Sequence, residues 1–415
     1  MKKALNIFLA FLIILLPFQQ LLSFYFDSIN IDSGVSFWAL HFYEPIILII
    51  ALIALVRFSI LPKAKANLYR QLPILAILIL GAFSIFFFSP SWGQGIEGFR
   101  FTLMPLVLLF GLSNLGDLID IKKMTKVYLG TALAVAIWAI LERFLPADYW
   151  RIIIPGVENG YGSFLVSFDM DLQRSASFLL GAIQLGSYLL PAFFICINNI
   201  FKGSAKKLSI SLAIVLFLGV FLSFSRAALI GLIVSLFVFI FIKSNLRVKK
   251  IISIIGLAVV ALAVALWFWP NATVSQFMTH GQSQAGHNFA LQSSIDEVTH
   301  RLAEPAILIF GNGLGTAGPI AIKYGGIISE SWYIQLLLEI GAIGLALWLY
   351  ISYLVSTALI RAKELGLFFS LLAVSITAIF LHTFADNPAL SYSLFILIGV
   401  ALANVKKETD EKNSN

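Results

Sequence analysis

The chain has 415 residues, of which 60% are apolar and only 12% charged, with a formal net charge of +7 and a mean hydropathy of +0.94. Soluble proteins carry about 25% charged residues because water-facing surface demands them. A soluble enzyme on a membrane anchor, a nucleic-acid binder and a disordered scaffold are therefore all excluded. The lone cysteine, Cys196, lies in an apolar run, so neither an intrachain disulfide nor a cysteine metal cluster can form. What remains is a polytopic integral membrane protein.

About 20 apolar residues cross one bilayer core. Apolar runs bounded by charges or turn residues lie at about 4–22, 40–56, 72–89, 101–116, 124–141 and 177–198. Six more follow at about 208–224, 227–242, 251–269, 332–355, 365–383 and 388–404. The stretch 208–242 is read as two short helices meeting at Ser223-Phe224-Ser225-Arg226, because a single span would be too long and would bury Arg226 centrally. The first run resembles a signal peptide in having Lys2 and Lys3 before an apolar core. No small-residue cleavage site follows it, so it is read as a helix. The expectation is an all-α fold of about twelve transmembrane helices forming one domain over 1–405, with a polar tail at 406–415.

With the N-terminus placed in the cytoplasm, alternate loops gather 21 of the 28 Lys and Arg on the inner side. The outer side keeps Arg100, Arg143, Arg151, Arg174, Arg226, Arg301 and Lys323. That asymmetry follows the positive-inside rule and predicts that both termini are cytoplasmic. It also places the two longest polar loops, about 142–176 and 270–331, outside, the second containing short helices.

The spans carry few charges, and no internal repeat or matched pair of broken helices is visible, which weighs against a transporter. A transporter or flippase for a lipid-linked or anionic substrate remains the alternative, and a non-catalytic assembly subunit a third. Six of the seven outer basic residues are arginine, the residue whose planar fork grips phosphate or carboxylate. Arg100, Arg143 and Arg151 are read as snorkelling to headgroups. Arg174 and Arg226 each stand at the start of an apolar helix. Asp169 and Asp171 have the spacing of metal-dependent transferases but read as a solvated loop. His280 and His287 lack a third ligand, so no metal site is expected. Gly311-Asn312-Gly313-Leu314-Gly315 reads as a tight turn allowing close backbone approach, and Glu339 as a group that orients an arginine or serves packing.

Three stretches together resemble the O-antigen ligase and O-antigen polymerase family. Arg174-Ser175-Ala176-Ser177-Phe178 is similar to an arginine block leading into a span, and Ser223-Phe224-Ser225-Arg226-Ala227-Ala228 to a serine-arginine-small block opening a helix. The third stretch begins at His300-Arg301 and passes through the glycine-rich turn at 311–315. It ends at Glu330-Ser331 before a leucine-rich helix with Glu339-Ile340-Gly341. The similarity covers about 170–345. Two departures stand out. Gly181-Ala182-Ile183-Gln184 lacks the proline-asparagine pair common in ligases, and Glu330-Ser331 replaces their histidine-asparagine. The second departure favours a polymerase.

The resemblance implies a glycosyltransferase that moves a glycan from a polyprenyl-diphosphate donor to an acceptor hydroxyl on the outer face of the bacterial cytoplasmic (inner) membrane. It implies Arg174 and Arg226 as diphosphate ligands and Arg301 as a third contact or acceptor clamp. Glu330 is the candidate general base, with His300 in reserve. The expected partners are the lipid-linked donor, a glycan or lipid acceptor, membrane lipids and other polysaccharide-assembly proteins. No nucleic acid, cofactor or metal is expected.

Overall fold

The computed structural model describes residues 2–28, 41–60, 68–145, 166–167, 172–203, 206–243, 292–300, 304–326 and 328–413. The N-terminal part comprises α1 (Lys2–Leu15), α2 (Gln19–Ser28), α3 (Tyr43–Ile60), α4 (Leu68–Phe87), α5 (Trp92–Thr102), α6 (Met104–Leu115) and α7 (Ile121–Glu142). After a two-residue antiparallel strand pair, Val166–Ser167 with Leu172–Gln173, come α8 (Ala182–Lys202), α9 (Lys206–Leu222) and α10 (Arg226–Lys243). The C-terminal part holds α11 (292–300), α12 (Pro305–Phe310), α13 (Trp332–Arg361), α14 (Leu365–Phe380), α15 (Thr383–Asp386) and α16 (Pro388–Asn413). Apart from the strand pair, the described chain is helical.

Eleven of the apolar runs coincide with described helices, and the run at 251–269 lies outside the described residues. Five helices among the described residues are long and apolar enough to cross a membrane. The bent pair α5–α6 makes six if counted as one span, with 51° between its halves. The 17-residue α9 and 16-residue α14 are shorter than the ~20 residues that cross a bilayer core without local thinning. The expected break inside 208–242 falls where it was read, since α9 ends at Leu222 and α10 begins at Arg226.

Large apolar side chains remain on the surface of these helices: Ile79 is 69% exposed, and Leu52, Leu208 and Tyr353 are each 62% exposed. Water would penalise such a surface, whereas hydrocarbon does not. The interior is apolar and closely packed, with α8 against α9 and α14, α6 against α3 and α16, and α10 against α14.

One helix breaks its own ladder. Within α13, Gly341 has φ +69° and ψ −173°, a left-handed conformation that costs side-chain-bearing residues dearly. The kink frees two carbonyls, and the glycine-rich turn takes them: Asn312 N–H donates to Leu338 O at 2.9 Å, and Gly313 N–H to Glu339 O at 3.0 Å. A Cβ at 341 would sit 2.1 Å from Ile309 O. The turn read from sequence as permitting close approach is therefore docked on a kinked helix.

Gly341→Val should destabilise the protein by about 3 kcal/mol or more, combining a forbidden conformation with a backbone clash. Gly130, in α7, has open space where a Cβ would go. Gly130→Ala should instead stabilise by about 0.5–1 kcal/mol. Thermal melts of the detergent-purified variants check both signs.

Candidate functional site

Two buried carboxylates hold the loops that meet the helices. Glu142, 0% exposed at the end of α7, accepts the backbone N–H of Ala176 at 3.0 Å and of Ser177 at 2.8 Å through one oxygen. The two serines of Arg174-Ser-Ala-Ser add to this anchor. Ser175 Oγ donates to Ala139 O and Ser177 Oγ to Val135 O, both at 2.8 Å. Ser175 N–H also donates to Leu222 O at 3.0 Å, which brings the segment onto the end of α9. Arg174 is thereby carried to the α9–α10 turn, where its Nε donates to Ser223 O at 3.2 Å.

The same turn presents Arg226. Ser223 Oγ accepts from Ser225 N–H at 3.2 Å, and Ser225 stands before the first residue of α10, its carbonyl receiving Leu229 N–H at 3.0 Å. The two arginines that the sequence singled out are neighbours. Burial lowers the pKa of Arg174 from its ordinary value, and the positive charge of Arg226 lowers it further. Two guanidinium groups in a partly buried place repel each other, and an anion bridging them relieves that repulsion.

Backbone strain is concentrated here. Four described non-glycine residues have positive φ, and three of them, Ser177 (+54°), Leu180 (+52°) and Phe224 (+47°), lie in the two arginine segments. Such conformations cost about 1–3 kcal/mol each and persist only where surrounding structure enforces them, a pattern typical of functional sites.

A second polar group lies across the first turn of α8. Gln184 Nε2 donates to Asp386 Oδ2, and Asn387 Nδ2 donates to Gln184 O at 2.8 Å. His382 Nδ1 lies 3.2 Å from Ser329 O, and its Nε2 lies 3.8 Å from Asp386 Oδ2. Burial raises the pKa of Asp386, His382 and the Gln184 amide pull it back, and the charge of Glu330 adds to the rise. Glu330 is thus near enough for its charge to be felt at Asp386. The two groups are adjoining: a Cβ on Gly186 of α8 would approach Ser223 Oγ to 2.7 Å, and Thr377 Oγ1 of α14 donates to Ala227 O at 3.4 Å. The start of α13 is tied to the end of α14, since Trp332 N–H donates to Leu381 O at 3.2 Å. Helix N-termini carry partial positive charge and favour anions. A narrow cleft beside Asp386 is lined by Gln19, Gln20, Gln184 and Asn387.

Other expectations fare differently. His300 is exposed at the last described residue of α11, and Arg301 lies outside the described residues, as do Arg151, Asp169, Asp171, His280 and His287. Arg143 is exposed, as a snorkelling residue would be. Arg100 departs from the snorkelling reading, because its Nε and Nη2 donate to Glu44 Oε1 at 2.9 and 2.6 Å. Glu339 serves packing: it accepts from Thr102 Oγ1 at 2.8 Å, Gly315 N–H at 3.1 Å and Gln335 Nε2 at 3.4 Å. His382 and Asp386 escaped sequence reading, the first lying inside the run read at 365–383 and the second just beyond it.

The helices define a multi-pass helical membrane protein in which two arginines are neighbours and a carboxylate lies beside an imidazole. No protein-family profile matches the chain. A protein of Salmonella muenchen named O-antigen polymerase is 24% identical over 283 residues, covering 65% of this chain and 69% of its own. That similarity supports the kinship to the O-antigen polymerase and ligase family seen in the sequence motifs, and it supports a polymerase-type function.

Replacing Glu142 by alanine leaves two buried N–H groups unpaired, at about 1–3 kcal/mol each. Glu142→Ala should lower the melting temperature of the purified protein and weaken the function of the Arg174 segment. Glu142→Gln, which retains an acceptor oxygen, should stay close to wild type in the same melts.

Proposed function

We propose that the chain is a polysaccharide polymerase that transfers a glycan from a polyprenyl-diphosphate carrier to the hydroxyl of an acceptor glycan. The observation that carries the reading is the adjacency of Arg174 and Arg226, held by strained turns at the start of α10. In the proposed topology about twelve spans cross the bacterial cytoplasmic membrane, both termini are cytoplasmic and the loops 142–176 and 270–331 face outward. The donor's tail lies along the apolar exterior and its diphosphate at the arginines.

In this reading the anomeric carbon–oxygen bond breaks as negative charge builds on the departing diphosphate. Guanidinium groups already fixed there stabilise that charge without reorganising, which is usually the largest catalytic contribution. Arg301 supplies a third contact. Glu330 accepts a hydrogen bond from the attacking hydroxyl, the orienting step of general-base catalysis. His300, exposed at the end of α11, is the reserve for that role. No metal is assigned a role, and the lipid-linked repeat unit serves as donor.

The surface-glycan profile of a deletion strain carrying the wild-type gene or Arg226→Ala tests this. Long ladders should collapse to a single repeat unit in both the deletion and the Arg226→Ala strain, with the variant protein still inserted in the membrane. Arg226→Lys should recover only a small part of the ladder, since an ammonium lacks the bidentate fork. Full-length chains accumulating on the carrier lipid would make the protein a ligase, and an unchanged profile would remove the transferase reading.

A further inference from the structure

We infer that His382 is the catalytic residue that finally receives the acceptor hydroxyl's proton, a role for which its Nε2 is prepared by Ser329 on one side and Asp386 on the other. The inference rests on the transferase reading above and deepens it.

The tautomer follows from the contacts. A backbone carbonyl only accepts hydrogen bonds, so the 3.2 Å contact to Ser329 O requires the proton on Nδ1. Neutral His382 therefore keeps its lone pair on Nε2, pointing into the space shared with Asp386 at 3.8 Å. That separation is too long for a hydrogen bond and sets the carboxylate beside the ring. His382 stays accessible, with 17% of its side chain exposed, and Asp386 is 33% exposed.

The ring is also held still. Ala385 N–H and Asp386 N–H donate to His382 O at 2.9 and 3.0 Å, and Leu381 O receives Trp332 N–H. Gln184 fixes the carboxylate. The contact to Ser329 O places the imidazole against the peptide that leads into Glu330. Asp386 of α15 is the acidic group beside the ring, and the charge of Glu330, before α13, acts on Asp386 in turn.

The chemistry balances. The acceptor oxygen forms a bond to the anomeric carbon while the bond from that carbon to the diphosphate oxygen breaks. The electron pair leaves with the polyprenyl diphosphate, and the hydroxyl proton moves to His382 Nε2 and then to water.

The test uses full-length protein in lipid vesicles, supplied with undecaprenyl-diphosphate-linked repeat units extracted from cells deleted for the gene. Release of undecaprenyl diphosphate and retention of donor lipid are both measured. General-base groups contribute about 100-fold or more, so His382→Gln should lower release about 100-fold while donor retention stays within about twofold. Added imidazole should restore His382→Ala and leave Arg226→Ala inactive. Near-wild-type release by His382→Gln, or an alanine variant that imidazole does not restore, overturns the role of His382. Wild-type protein that releases no undecaprenyl diphosphate overturns the transferase reading itself.

Discussion

Irregular backbone at apolar depth must find a partner for every N–H, because an unpaired group there costs several kcal/mol. The chain meets this constraint twice with a fully buried glutamate. Glu142 takes the N–H groups of Ala176 and Ser177, and Glu339 takes Gly315 N–H together with Thr102 and Gln335. Each carboxylate stitches a returning loop to a helix that the loop would otherwise clash with or leave. Without the first, the Arg174 segment has no fixed seat. Without the second, the glycine-rich turn has no reason to lie on the kink at Gly341, and the start of α13 that follows Glu330 loses its brace.

Anchoring of this kind explains why strain can accumulate around the arginines. Ser177 and Leu180 hold left-handed conformations just beyond the Glu142 clamp, and Phe224 does so between two serines bonded to their own turn. The bonds over-determine the backbone, and the cost is met by well-paired polar groups on α7 and α9. Lysine would not exploit such a fixed frame, since its point charge on a flexible stem gains little from exact placement, whereas a planar fork gains a great deal.

Much of this was legible from residues alone. Hydropathy located eleven helices that the structure describes, and the break at Ser223–Arg226 was visible because one span could not hold both halves. Arg174 and Arg226 stood out as arginines at helix starts on the side poor in basic residues. Their adjacency was not legible, because it depends on Ser175 pairing with Leu222 across 47 positions of chain. The role of Glu142 was hidden for a similar reason, as its partners are backbone groups that carry no residue signature. Arg100 misled because the carboxylate that receives it, Glu44, is 56 residues away. His382 and Asp386 did leave a trace, an i,i+4 polar pair that straddles the outward end of the run at 365–383 in the inferred topology. Hydropathy reads such a pair as a turn, and only packing puts Ser329 and Gln184 against it.

The first turn of α8 sets the spacing between the two halves of the site. Gln184 holds Asp386 on one side, and Gly186 allows the Ser223–Ser225 turn to close on the other. Two residues of helix rise only about 3 Å along the axis, so the groups are separated mainly across the helix rather than along it. A side chain at 186 would meet Ser223 Oγ and the Cβ atoms of Ser225 and Ala228, and so would wedge the turn that carries Arg226 away from α8.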